Sequence, residues 1–104
     1  MDDVEIRDNE QQTRYEVRER GELAGFAEYR IDGSRMTLFH TEVDEAHAGH
    51  GLGGRLARGA LDDAIARGLQ VVPVCPFIAH IVRDEPDRYL QAIVPSLRER
   101  VMEG

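Results

Sequence analysis

Along the first forty-odd residues, apolar side chains come in short runs: Val4 to Ile6, Tyr15 to Glu19, Leu23 to Ile31 and Met36 to Val43. Polar punctuation separates them, "RDNEQQ", "RGE" and "DGS". Runs of this length bounded by Gly, Asp and Asn predict strands, with Asp32-Gly33 the strongest hairpin signal and Gly21 marking another tight connection. This half reads as an antiparallel meander. From Gly51 the period changes. Leu52, Leu56, Ala60 and Ala64 recur every fourth residue, with Leu61 and Ile65 widening the stripe. That spacing predicts an amphipathic helix from Gly51 to Arg67, ended by Gly68.

"LQVVPVC", residues 69–75, is a short valine-rich run. A strand–helix–strand sequence closes a right-handed crossover, which predicts parallel pairing of Gln70–Val74 with Met36–Val43. Pro73 argues against full pairing on both edges. Pro76 suits the first turn of a short helix through about Val82, stopped by "DEP". A further turn or two of helix is expected through Tyr89 to Ile93. Ser96-Leu97-Arg98-Glu99 has capping-box spacing ahead of a final helix to about Glu103. The fold class expected is α/β (α+β): antiparallel N-terminal strands, one parallel crossover and short C-terminal helices.

Composition narrows the setting. The chain has 104 residues, enough for a single domain over 1–104, and no run of about 18 apolar residues to span a bilayer. Its start, "MDDVEIRDNE", is acidic where a signal peptide is basic and then apolar, so a cytoplasmic protein is expected. The lone Cys75 excludes an internal disulfide and a zinc site built from cysteine pairs. A net charge of −7 repels nucleic acid and anionic membranes, so neither is an expected partner, and any anionic ligand must be met by a local site.

"HAGHGLGGRL", residues 47–56, is where such a site belongs. Gly49, Gly51 and Gly54 match a loose dinucleotide fingerprint, but a Rossmann site needs its glycines directly after a strand and a carboxylate ending the next strand. Here "DEAHAGH" intervenes and the next strand ends in Val74-Cys75-Pro76. No Gly-Lys-Ser/Thr occurs, so a Walker loop fails too. A glycine-rich segment opening a helix still presents bare N–H groups and the positive end of the helix dipole to an anion. Arg55 and Arg58 lie in the first two turns, where cations oppose the dipole unless an anion sits nearby. The plainer reading is that these arginines pair with Asp62 and the glycines only allow close packing.

"HTEVDEAHAGHGLGGRLARGALDDAIARG" followed by "VVPVCPFI" resembles the short, stand-alone members of the GNAT superfamily of N-acetyltransferases, over nearly the whole chain to Tyr89. In that superfamily a Gln/Arg-x-x-Gly-x-Gly/Ala segment binds the pyrophosphate of acetyl-CoA through backbone amides; here it is Ala48-Gly49-His50-Gly51-Leu52-Gly53. Ala48 stands where Gln or Arg is usual, which removes one side-chain contact and leaves the backbone cradle. The resemblance is most specific to the small subfamily marked by "HT-x-V" and "P-x-C-P-[FY]", matched at His40-Thr41-Glu42-Val43 and Pro73-Val74-Cys75-Pro76-Phe77. It implies acetyl-CoA as cosubstrate, met by Thr41, Val43, Gly49, His50, Gly51, Leu52, Gly53, Gly54 and Arg55.

It also implies that the two strands splay around the pantetheine arm, with an amide near Val43 as oxyanion donor. Cys75 and His40 are then the catalytic candidates, Cys75 as nucleophile with His40 as its base, or Cys75 passive while an amine attacks directly. Glu42, on the same strand face as His40, is a weaker base candidate. Apart from the resemblance, Cys75 reads as core filling and His40 as a hydrogen-bonded structural histidine. His80 and Arg83 read as a solvated face, and Tyr89 as packing before a thiolate-protonating acid. His47 and His50 have three-residue spacing, but no cysteine pair or carboxylate set accompanies them, so no metal is expected. Only "RDNEQQTR" joins the first two strands, where larger members carry helices, so an open acceptor side is expected. That suits an amine on a protein or peptide, or a partner subunit completing the pocket. The function expected is acetyl transfer to an amine; the alternatives are a non-catalytic CoA- or acyl-CoA-binding module, and an interaction domain on the same scaffold.

Overall fold

A computed structural model describes residues 3–104, which build one five-stranded sheet in the order β1-β2-β3-β4-β5. Strands β1 (Val4–Asn9), β2 (Arg14–Glu19), β3 (Glu22–Asp32) and β4 (Arg35–Val43) pair antiparallel in turn, and β5 (Gln70–Pro73) lies parallel to β4. The meander and the crossover are as the pattern predicts. The strands run longer than their apolar cores: "RDN" continues β1 as an edge strand against Arg14–Glu16, because backbone pairing does not need apolar side chains. Arg20 and Gly21 both have positive φ, 53° and 80°, the two-residue turn that matches strand twist. At the next hairpin Asp32 pairs with Arg35, so the turn itself is Gly33-Ser34, one residue later than the Asp-Gly signal, with φ +61° at Gly33.

Helix α1 (Leu52–Ala66) crosses one face of the sheet and buries Leu52, Leu56, Ala57, Ala60, Leu61 and Ala64 against Tyr15, Val17, Ala27, Met36 and Leu38. That is the face the fourfold spacing specified. Its C-terminal end is tied down by polar contacts. Tyr15 donates its hydroxyl to Asp63 at 2.6 Å, Tyr29 donates to Asp8 at 2.6 Å, and Arg67 bridges Asp8 and Asp63 at 3.2 and 3.3 Å. Burial and the Asp63 contact hold the Tyr15 hydroxyl well above its usual range.

The C-terminal quarter packs over the far edge. Val71 bridges to Ile93, and the Val94 amide donates to the Val71 carbonyl at 3.0 Å, so β5 is covered on its free side at that one point. Helices α2 (Pro76–Asp84), α3 (Pro86–Tyr89) and α4 (Arg98–Glu103) follow, with short 3-10 turns at Leu90–Ala92 and Pro95–Leu97. Thus the helix expected from Tyr89 starts at Pro86 and passes into a 3-10 turn at Leu90. The capping box at Ser96 does not form. Pro95 opens a 3-10 turn through Ser96, and α4 starts at Arg98 with Leu97 at its N-cap and no side-chain cap. Among the described residues no helix is long and apolar enough to cross a membrane.

Candidate functional site

Strand β4 changes the side it presents. Its register with β3 steps from Tyr29↔Leu38 to Glu28↔His40, so Phe39 is an extra residue. Side chains alternate along a strand, and one inserted residue moves everything beyond it to the other face. Met36 and Leu38 therefore point to α1, and after Phe39 it is Thr41 and Val43 that do so. His40 and Glu42 point outward. His40 Nε2 lies 3.3 Å from Glu42 Oε1, and its ring sits 6.1 Å from that of Phe26.

Parallel pairing of β4 with β5 stops at Leu38↔Pro73, where proline has no N–H to continue it. Val74 turns outward, 59 % exposed, and the chain returns once more when the Cys75 amide donates to the Leu38 carbonyl at 3.0 Å. Beyond that point the strands diverge. Cys75, buried and reduced, donates its thiol to Thr41 Oγ1 at 3.5 Å from the N-cap of α2. The structure thus brings Cys75 to Thr41 and His40 to Glu42, on opposite faces of the sheet. Glu42 shares the face of His40, as expected.

The glycine segment stands beside this divergence. Asp44 caps a 3-10 turn at Glu45–His47, accepting from the Ala46 amide at 3.1 Å. Gly49 (φ +84°) and Gly51 (φ +71°) then take left-handed conformations that other residues adopt at a cost. Gly51 is the N-cap of α1 and supplies no side-chain cap to the first-turn amides of Leu52, Gly53 and Gly54. A Cβ on Gly53 would sit 3.2 Å from the Phe77 ring and 3.6 Å from Val43 Cγ2, so loop, β4 end and α2 meet at this glycine. Uncapped first-turn amides on a bare backbone suit an anion of phosphate type.

The remaining polar residues have defined places. Arg58 pairs with Glu85 at 2.6 Å and Asp62 with Arg88 at 3.1 Å, so the expected Arg58–Asp62 pairing is replaced by contacts to the segment that follows α2. His80 faces Asp84 on the same helix at 3.5 Å, and Arg83 donates to the Val101 carbonyl at 3.1 Å, joining α2 to α4. Tyr89, at the end of α3, is fully buried, and burial and the Asp62 carboxylate push its hydroxyl up to about 12.

On the other side of the divergence lies a groove of about 340 Å³ lined by Leu23, Gly25, Phe26, Glu42, Asp44 and Glu45. It is open, and its rim is acidic. One residue absent from the sequence reading also reaches the loop. Glu19, at the end of β2, puts Oε1 2.7 Å from His47 Nδ1 and 2.8 Å from His50 Nδ1. Its hydrogen bonds hold Glu19 below the usual carboxylate range and raise His47. Nothing in local spacing announces a partner 28 and 31 residues away.

The sequence model of the family described as GCN5-related N-acetyl-transferase matches residues 14–93, from β2 to the turn after α3. The chain belongs to the GCN5-related N-acetyltransferase family. Protein NATD1 from Bos taurus is 35 % identical over 69 residues, and Protein NATD1 from Homo sapiens matches equally. The match takes in 64 % of this chain and spans 61 % of those relatives' length. Among solved structures, a GCN5-like protein from Staphylococcus aureus superposes with a TM-score of 0.65 at 21 % identity, over 90 % of this chain and 91 % of its own. The ribosomal-protein-S18-alanine N-acetyltransferase from Escherichia coli gives 0.53 at 27 % identity, over 56 % of this chain and 38 % of its own. The Staphylococcus aureus likeness, at 21 % identity, shows the shared fold.

Proposed function

We propose that this protein is an acetyl-CoA-dependent N-acetyltransferase whose acceptor is an amine on a protein or peptide. The observation that carries the reading is the divergence of β4 from β5 after Leu38 and Pro73, with Thr41 and Cys75 at its mouth and the glycine segment beside it. The amides of Gly49 to Gly54 would hold the pyrophosphate, with His50 and Arg55 at the margins of the cradle and Thr41 and Val43 lining the arm. Acetyl-CoA would supply an activated acetyl group as a thioester; transfer to the neutral amine forms the amide C–N bond and breaks the thioester C–S bond, and CoA would leave as a thiolate that takes up a proton. On this reading a backbone N–H near Val43 on β4 would stabilise the charge that grows on the carbonyl oxygen.

The acceptor enters from the open groove. Glu42, Asp44 and Glu45 on its rim attract a cationic ammonium, and net charge −7 favours the same class of partner. An ammonium must lose a proton before it attacks, and His40, held by Glu42, is the base that adjoins this side. The assignment gives His40 the acceptor's proton rather than the thiol's, because the thiol of Cys75 already faces Thr41 on the opposite face. The relative from Escherichia coli is named for acetylating an alanine of a ribosomal protein. A protein amine acceptor for this chain is in keeping with that name. The second reading, a non-catalytic CoA- or acyl-CoA-binding module, draws on Ala48 and on the separation of His40 from Cys75.

The deciding experiment titrates isotope-labelled protein with CoA and acetyl-CoA, follows amide shifts, then measures acetyl transfer to a panel of basic peptides and the intact mass of the protein. Shifts at residues 48–54 and 75 with turnover that falls in His40→Ala are expected. Transfer that survives His40→Ala but fails in Cys75→Ala moves the chemistry to the thiol. Binding without turnover on any peptide selects the module, and no shift at saturating acetyl-CoA ends both readings.

A further inference from the structure

We propose that Glu19, His47 and His50 form a binding site for a divalent transition-metal ion of the zinc class, which joins the β2–β3 turn to the glycine segment. The three donors come from separate places in the fold. Glu19 is the last residue of β2, before the Arg20-Gly21 turn; His47 ends the 3-10 turn after β4; His50 follows the left-handed Gly49. That glycine lets two imidazoles three residues apart turn to the same side.

One carboxylate oxygen, Glu19 Oε1, is shared by both imidazoles. Glu19 Oε1 is 2.7 Å from His47 Nδ1 and 2.8 Å from His50 Nδ1, His50 Nδ1 also lies 3.1 Å from Oε2, and the three ligand atoms all fall within 4.8 Å of one another. The two imidazole rings stand at 89° with centroids 6.5 Å apart. A tetrahedral ion about 2.0 Å from each donor separates the donors by about 3.3 Å, so the two carboxylate–imidazole contacts must open by about half an ångström each and the two imidazole nitrogens, within 4.8 Å of each other, must settle at that same separation, adjustments that side-chain rotation supplies. Two imidazole nitrogens and a carboxylate select a borderline ion such as zinc over calcium or magnesium, which take oxygen.

The three donors are partly held in place and still reachable. The Glu19 and His47 side chains are 19 % and 13 % exposed, and His50 is 51 % exposed, which leaves an entry path and positions for water. A surface carboxylate with two imidazoles in plain ion pairing contributes little, since exposed pairs are screened. As metal ligands the same three groups would cross-link a hairpin to the segment opening α1, and stabilise the folded chain by mass action. The site does not depend on the acyl-transfer reading, because binding of the ion is measured without CoA.

The test uses the full chain freed of metal by a chelator and titrated with zinc alone, by calorimetry and by amide and imidazole NMR. One equivalent is expected to bind with Kd below about 10 µM, with shifts centred on Glu19, His47, Gly49 and His50 and a thermal midpoint that rises with zinc. His50→Ala removes a half-exposed side chain and keeps the fold, and Glu19→Gln keeps the shape; each should weaken binding by more than about 100-fold. His80→Ala, which removes the imidazole facing Asp84, should leave binding unchanged. Absence of the one-equivalent event overturns the proposal. So does binding that survives both His50→Ala and Glu19→Gln, or that His80→Ala abolishes.

Discussion

The two ends of helix α1 are built on opposite terms. At its C-terminal end polar groups pair with one another: Tyr15 on Asp63, Tyr29 on Asp8, Arg67 on both carboxylates. At its N-terminal end the cap is a glycine with no side chain, preceded by another left-handed glycine, beside two strands that part company. The first end satisfies itself. The second leaves its first-turn N–H groups without a side-chain cap. A fold can carry such an open end because the rest of the helix is fixed elsewhere, and on the acyl-transfer proposal stability and ligand contact fall to different ends of one element.

Substitutions can break that division, and the largest effect should come from the middle of the helix, which both ends rely on. Leu56 is fully buried against the sheet, and Leu56→Ala should cost about 3 kcal/mol through lost burial and a residual cavity. Urea denaturation measures it, and any loss of ligand binding should follow the unfolded fraction. Gly51→Asp attacks the open end alone. A left-handed φ of +71° strains a non-glycine residue by about 1 kcal/mol. The added carboxylate opposes a bound phosphate, and CoA affinity should fall by about 100-fold, about 2.7 kcal/mol. Equal affinity for CoA in Gly51→Asp would show that the open end is packing only.

How far was this division visible in the sequence? The helix face was, since Leu52, Leu56, Ala60, Leu61 and Ala64 recur with the period of an α-helix and all are buried. The glycine-rich start and its position after β4 were visible too. What the alternation of β4 could not show is the extra residue at Phe39, which depends on the partner strand and reverses the face of everything after it. Plain alternation puts His40 on the side of Met36 and Leu38; the inserted residue puts Thr41 there. Glu19 was hidden for a similar reason, because its approach to His47 and His50 is made by sheet topology and leaves no mark on local spacing. At Ser96 the motif was present but Pro95 captured the residue for a 3-10 turn, so a local signal lost to a neighbouring one.

Tyr15→Phe sharpens the closed end. It removes a 2.6 Å bond to Asp63 and leaves that carboxylate with Arg67 alone, 3.3 Å away. Hydrogen bonds to a charged acceptor contribute about 2 kcal/mol, and thermal unfolding should show a loss of that size. The ring remains to pack at 5.1 Å from Tyr29. CoA affinity should be unchanged, since the contact lies at the far end of the helix. A Tyr15→Phe protein that keeps its stability but binds CoA less tightly would reverse the assignment of the two ends.

The smallest effect concerns acid. Glu16 is buried on the outer face of the sheet, where it accepts from Asn9 at 3.1 Å and from Arg14 at 2.8 Å. Burial on its own raises this carboxyl, but the hydrogen bonds from Asn9 and Arg14 and the charges of Arg14 and Arg18 outweigh it and hold it below the usual carboxylate range. A carboxyl lowered by folding stabilises the native state above its unfolded pKa, and that contribution disappears as pH falls through the lower folded value. Stability should therefore decline as pH drops below about 4.5, and Glu16→Gln should flatten part of that slope, by less than about 1 kcal/mol. The measurement is urea unfolding of both proteins at a series of pH values from neutral downward. A Glu16→Gln protein with the same slope as the parent would show that the acid sensitivity does not come from Glu16.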